Sequence, residues 1–261
     1  MWGKEFENVN YTPPKLMFTV FNGGKAVGSK VKFSRFYVIF DVKPADKDID
    51  VNDLYFRVSS AIKKGVQAHK AGENGFKAGV TGAYFNAHDS HNETFKLLED
   101  AIAQVGVNTA ERKYVTIGIN ADAESYYQAD SQRYDIEGPK NLFDGPMMAD
   151  WLTKQVNDHP LLNYIEDPFI KDDVAGYQKL IANMQDKDVK VSVKSWFGSD
   201  LELLKECTQF QHEDSDNDED EVEEDWKEKV EKLEDEEEST ILDEKKTQSI
   251  DKKGAKKETS K

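Results

Sequence analysis

The run Leu161-Leu-Asn-Tyr-Ile-Glu-Asp-Pro-Phe169 ends a short apolar stretch in two carboxylates and a proline. A buried parallel strand has this form when it delivers acidic side chains to the mouth of a sheet or barrel, where carboxylates serve metal binding or acid–base work. Pro168 has no amide hydrogen and fixes its own φ, so the strand must stop there and leave the carboxylates in place. The alternative is an ordinary strand end with a solvated Glu-Asp. His88 and His91 stand three apart near a helix start, the spacing of a metal pair. With no Cys or further His at ligand spacing, they are expected to be surface residues.

The elements that must position these groups follow from apolar periodicity. Residues 16–22 and 36–42 read as buried strands. Only about a dozen residues, including Gly23, Gly24 and Gly28, separate them, which predicts an antiparallel hairpin. Leu54, Val58, Ala61, Ile62 and Val66 form one helical stripe, and a glycine-rich loop over 71–82 follows. Ser90 and Glu93 form a capping box ahead of Phe95, Leu98, Ile102 and Val105. From residue 114 strands alternate with helices: strand 114–119, a helix through Met148, Leu152 and Val156, and strand 161–165. A helix through Val174, Tyr177, Leu180, Ile181 and Met184, strand 189–193 and a last helix through Leu201 and Leu204, capped by Ser199 with Glu202, complete the series. Such alternation predicts βαβ units and a parallel sheet.

Charge separates the C-terminal part from the rest. Of the formal net charge of −16, residues 211–261 carry −11, from 21 acidic and 10 basic side chains, which leaves −5 for residues 1–210. Residues 213–225 hold ten carboxylates in thirteen positions, too little apolar surface to offset the entropy of ordering, so 211–261 is expected to be a disordered tail, acidic and then Lys-rich. The remainder divides into an N-terminal extension, 1–14, and a globular part, 15–210. The globular part shows no basic cluster, which argues against nucleic-acid binding. No stretch of about 18 apolar residues exists to span a membrane. The single Cys207 excludes an internal disulfide, and the start lacks a basic region followed by an apolar core, so a cytoplasmic location is the default expectation.

Four segments, in order, resemble the enolase family: Val20-Phe-Asn-Gly-Gly24, Gly72-Glu-Asn-Gly-Phe76, Ile117-Gly-Ile-Asn-Ala-Asp-Ala-Glu-Ser-Tyr-Tyr127 and Tyr164-Ile-Glu-Asp-Pro-Phe169. The opening β-β-α-α followed by βα repeats is also similar to the start of the enolase barrel. The resemblance covers roughly residues 15–205. It implies an α/β fold, an incomplete enolase-type TIM barrel without the family's separate N-terminal domain. The chain leaves the pattern after about five barrel strands, before the strand that in enolases presents the catalytic base lysine. A parallel sheet that stays open exposes an edge and an apolar face, both of which need cover, so a protein partner or a homo-oligomer is expected.

The chemistry implied by the resemblance is phosphopyruvate hydratase: 2-phosphoglycerate to phosphoenolpyruvate, with magnesium held by three carboxylates at successive strand ends. Glu166 matches the middle ligand. The first falls on Asn120, a neutral amide, and the third near Val193, which cannot coordinate. Asp122, two residues on, would share a strand face with Asn120 in an extended chain and is the candidate substitute. Glu73 matches the family's catalytic loop glutamate. Arg35 stands where the family has a glutamate, and Ala26 where it has a histidine. Asn120 and Lys25 are similar to the sperm-type enolase branch, associated with flagella. Two readings stay open: a catalytically degenerate structural or interaction subunit, or a magnesium-dependent enzyme completed by another chain. A truncated product is a third.

Overall fold

The computed structural model describes residues 14–194 except 44, 47 and 106–113, and leaves the side chains of 73 and 74 undescribed. The expected last helix and the acidic and Lys-rich tail lie outside the described residues.

Two aromatic strands open the fold as the hairpin that the spacing predicts: β1 (Leu16–Asn22) pairs antiparallel with β2 (Arg35–Phe40). Their turn depends on Gly23, where a Cβ would stand 2.3 Å from the Phe33 carbonyl oxygen, and on Gly24 at φ +72°. Helix α1 (Val51–Ala68) starts at Asp50, whose carboxylate accepts from the amides of Asn52 and Asp53, a cap that contributes about 1 kcal/mol. It buries Leu54, Val58, Ala61, Ile62 and Val66, the stripe that the periodicity picks out.

The glycine-rich loop is not all loop. It contains a single turn of helix, α2 (Gly72–Gly75), before the short strand β3 (Tyr84–Phe85). Helix α3 (His91–Gln104) starts at Ser90, whose Oγ accepts from the Glu93 amide at 3.2 Å. The return bond goes one residue further out than in a capping box, from the Asp89 amide to the Glu93 carboxylate.

Strand β4 (Val115–Asn120) runs into a 3-10 turn (Ala123–Tyr126) and a small hairpin of β5 (Tyr127–Gln128) and β6 (Arg133–Tyr134). Helix α4 (Gly145–Asp158), capped by Asp144, leads to β7 (Leu162–Glu166), and α5 (Val174–Met184), capped by Asp173, leads to β8 (Lys190–Ser192). Ile181, expected on the buried stripe of α5, is instead 53% exposed.

Among the described residues the strands form one six-stranded sheet in the order β3-β1-β2-β4-β7-β8. β2 and β4 are antiparallel, while β4–β7 and β7–β8 are parallel, so the βαβ units begin at β4. One face places Phe36, Val38 and Phe40 beside Ile119, Ile117 and Val115, all buried among Leu54, Phe95, Leu98, Leu152 and Leu180 of the helices. Burial of each such side chain contributes about 1.5–3 kcal/mol, so this layer holds the sheet to its helices.

The other face carries Arg35, Tyr37 and Ile39, then Asn120 and Gly118, then Glu166 and Tyr164, then Ser192 and Lys190. That corrects the expectation of an apolar open face: apart from Ile39 and Gly118, the named positions that would line a barrel carry polar and aromatic side chains. Gly118 leaves the room these need, since a Cβ there would stand 3.1 Å from the Tyr164 ring.

Candidate functional site

The ends of β4, β7 and β8 and the start of β2 lie side by side. Arg35 is in register with Asn120, Asn120 with Glu166, and Glu166 with Ser192, so their side chains leave the sheet on one face at what would be the C-terminal mouth of a barrel. As the sequence predicts, β7 stops at Glu166: Asp167 turns into the left-handed region at φ 49° ahead of Pro168.

Glu166 is buried, 6% exposed, and accepts hydrogen bonds from three neutral donors. Asn120 Nδ2 donates to its Oε1 at 2.7 Å, and the hydroxyls of Tyr37 and Tyr164 donate to its Oε2 at 3.2 and 3.3 Å. Burial, and then the charge of Glu166, push the Tyr37 phenol up to about 12, with Arg35 opposing. Tyr164 is raised by burial, then relieved by a hydrogen bond with Ser192 and raised again by Glu166. Both phenols therefore stay protonated near neutral pH and remain donors. A carboxylate accepts only, so the amide of Asn120 must turn its NH2 to Glu166 and its carbonyl away. That carbonyl oxygen, Oδ1, is buried without a described partner, in a side chain only 5% exposed.

The expected magnesium ligands do not converge. Asp122 does not continue the strand: it opens the 3-10 turn at φ 47°, ψ 50°, so the face argument for an extended chain fails. It lines a separate cavity of about 430 Å³ with Glu124, Tyr127, Asp167, Phe169 and Asp172. There burial, followed by the charge of Asp167, raises its pKa. Val193 packs against the hydrophobic core, and its neighbour Ser192, not Val193, is in register with Glu166. Glu73 belongs to α2, with its side chain outside the described set. No group of three or more His, Cys, Asp or Glu among the described residues could hold a metal ion. A small divalent cation needs several oxygen ligands in near-octahedral array. Here one carboxylate faces N–H and O–H hydrogens that a cation would repel, so magnesium does not fit this donor set.

The two histidines are also placed differently from expectation. His88 is buried, 2% exposed, against Phe21 and Phe76, and its Nδ1 meets Asn86 Oδ1 at 2.8 Å. His91 packs between Phe33 and Trp151 and accepts the Lys32 amide at Nε2, so the pair faces different neighbours and holds no common ligand. Burial, with the neighbouring His69 adding, pushes His88 down to about 4 from 6.5. The unfolded chain therefore takes up this proton first as pH falls. Stability is complete above about pH 6.5 and is withdrawn towards pH 4, by about 3 kcal/mol for this group. Denaturant midpoints measured across this window are expected to fall with pH in the natural chain and to fall less in His88→Gln.

Tyr164 was legible from sequence, since it stands two residues before Glu166 on the same strand face. Tyr37 was not, because its meeting with Glu166 depends on the order and register of three strands.

Two comparisons with known proteins bear on this site. Residues 10–209 match the enolase C-terminal TIM barrel domain. Enolase 2 of Hevea brasiliensis is 28% identical over 202 residues, which is 74% of this chain and 42% of that protein. Enolase 2 of Lactobacillus johnsonii is 25% identical over 173 residues, 65% of this chain and 37% of that protein. The chain thus spans about two fifths of the length of the curated relatives it matches.

Proposed function

The chain belongs to the enolase family, and from that premise we propose that it is a catalytically degenerate member that acts as a structural or interaction subunit. The observation that carries this reading is the state of Glu166: at the strand end where the resemblance expects a magnesium ligand, its carboxylate is engaged by Asn120, Tyr37 and Tyr164. Asn120 and Val193 add no charge to attract a divalent ion, and Arg35 brings the opposite charge. A group that must bind a cation in each turnover is poorly served by neutral donors already in its place.

The rival reading, a magnesium-dependent phosphopyruvate hydratase completed by a second chain, draws on the retained Glu166 and on the family itself. One assay separates them. Folded chain supplied with magnesium and 2-phosphoglycerate is expected to form no phosphoenolpyruvate, and turnover abolished in Glu166→Ala would establish the rival.

The proposed partner is a protein, either a second copy or another chain, that covers the open side of the sheet. Among the described residues the sheet is open, with β3 and β8 outermost, and an edge strand presents backbone N–H and C=O groups to which a further strand can pair. Light scattering is expected to show association, and a strict monomer would count against it. The proposed setting is the cytoplasm, with a cilium or flagellum as the narrower alternative suggested by Asn120 and Lys25.

A further inference from the structure

We propose that the mouth formed by β2, β4 and β7 binds, without a metal, a small carboxylate that carries a hydrogen-bond donor on the adjacent carbon, that is, an α-hydroxy or α-amino acid. The inference rests on the metal-free reading of Glu166 above. Three in-register residues on neighbouring strands, about 5 Å apart, present a cation, a neutral amide and an anion in sequence: Arg35, Asn120 and Glu166.

The middle position creates the demand for a ligand donor. Asn120 Nδ2 is held by Glu166, and Oδ1 is left buried with no described partner. Buried carbonyls are almost always hydrogen-bonded, so this oxygen calls for an N–H or O–H that the described residues do not supply. Arg35 supplies the complement. It is exposed, lies against the Tyr37 hydroxyl and makes no ion pair with a described residue, so most of its five donors are free. A planar carboxylate takes such a fork in two parallel hydrogen bonds.

A ligand with its carboxylate on Arg35 and its donor on Asn120 Oδ1 answers both. Glu166 narrows the class further. Its charge repels a phosphate dianion that a single arginine would have to neutralise. Arg35 stands exposed at the rim on the β1 side, beside the half-buried Asn22.

The test is an amide chemical-shift titration of the labelled full chain in EDTA, with glycolate, glycine, acetate and inorganic phosphate as probes. Glycolate, glycine or both are expected to saturate with dissociation constants of about millimolar, the range open to so small a ligand, and to shift the amides around Arg35 and Asn120. Which of the two binds distinguishes hydroxy from amino acid. Acetate, lacking the donor, is expected to bind about tenfold more weakly or less, and Arg35→Gln, an exposed change that leaves the fold intact, to weaken glycolate or glycine by about tenfold or more. Equal binding of acetate, tighter binding of phosphate, or binding indifferent to Arg35→Gln overturns the inference. Failure of every probe, together with absence of turnover, overturns the inference alone. Binding that requires magnesium overturns both the inference and the metal-free reading beneath it.

Discussion

Glu166→Ala is expected to lower the stability of the fold by about 3 kcal/mol, with or without magnesium, since it strands two buried donors and a half-buried third at once. Asn120 Nδ2, the Tyr37 hydroxyl and the Tyr164 hydroxyl all spend their hydrogen bonds on this one carboxylate. An unsatisfied buried donor costs roughly 1–3 kcal/mol, and the three share one small volume, so the total falls short of a simple sum. For a domain of this size the loss corresponds to a fall of roughly 10 °C in Tm. A carboxylate kept for a metal behaves in the opposite way, because removal of a buried charge from an empty site relieves repulsion and desolvation. The sign of the change in EDTA therefore separates a structural carboxylate from a ligand. Glu166→Gln keeps one acceptor oxygen and is expected to fall between the two.

Asn120→Asp is expected to destabilise by a similar amount near neutral pH, and its pH dependence identifies the cause. The substitution places a second carboxylate where the amide now stands 2.7 Å from Glu166 Oε1. Two carboxylates at that distance do not both ionise, so the pair retains a proton in the folded state and its upper apparent pKa rises by roughly 2–3 units. The sign follows directly. A folded-state pKa raised above the unfolded value means that the native state holds the proton more tightly, so the variant approaches the natural chain at about pH 4 and loses ground as pH rises towards 7, by about 3–4 kcal/mol. The natural chain has the reverse slope over the same window, set by His88 and His91, both pushed down by burial. Unfolding titrations of the two chains at acid and neutral pH would show the crossing trends, and parallel trends would mean that Asn120 does not face Glu166.

The backbone of this fold was largely legible because its strands are short apolar runs that end in punctuation and its helices carry one apolar stripe each. Asp50, Ser90, Asp144 and Asp173 each cap a helix by side-chain oxygen, although only the Ser90–Glu93 pattern announced itself. The turn of helix at Gly72–Gly75 and the hairpin of β5 and β6 went unread, since segments of two to four residues carry no period. Asp122 was misplaced for a physical reason: the face rule assumes an extended chain, and the backbone leaves the β region two residues after the strand. His88 was misjudged because a histidine beside Asp and Ser reads as polar surface, while burial comes from Phe21 and Phe76, which arrive from other elements.

At the site, sequence alone gave the identities of Glu166, Asn120 and Arg35 and their departures from the enolase pattern. The saturation of Glu166 could not be read from it, because Tyr37 reaches the carboxylate across two strand pairings. The same geometry turns a missing ligand into a positive statement about what the site is.

The central claim is that Glu166 is satisfied by neutral donors and serves no divalent cation. Calorimetric titration of magnesium into the folded chain, paired with its melting temperature in EDTA and in millimolar magnesium, tests this most directly. The account predicts no saturable heat and an unchanged melting temperature. A saturable isotherm with a rise in melting temperature, both lost in Glu166→Gln, would contradict it and return the chain to the enzymes of its family.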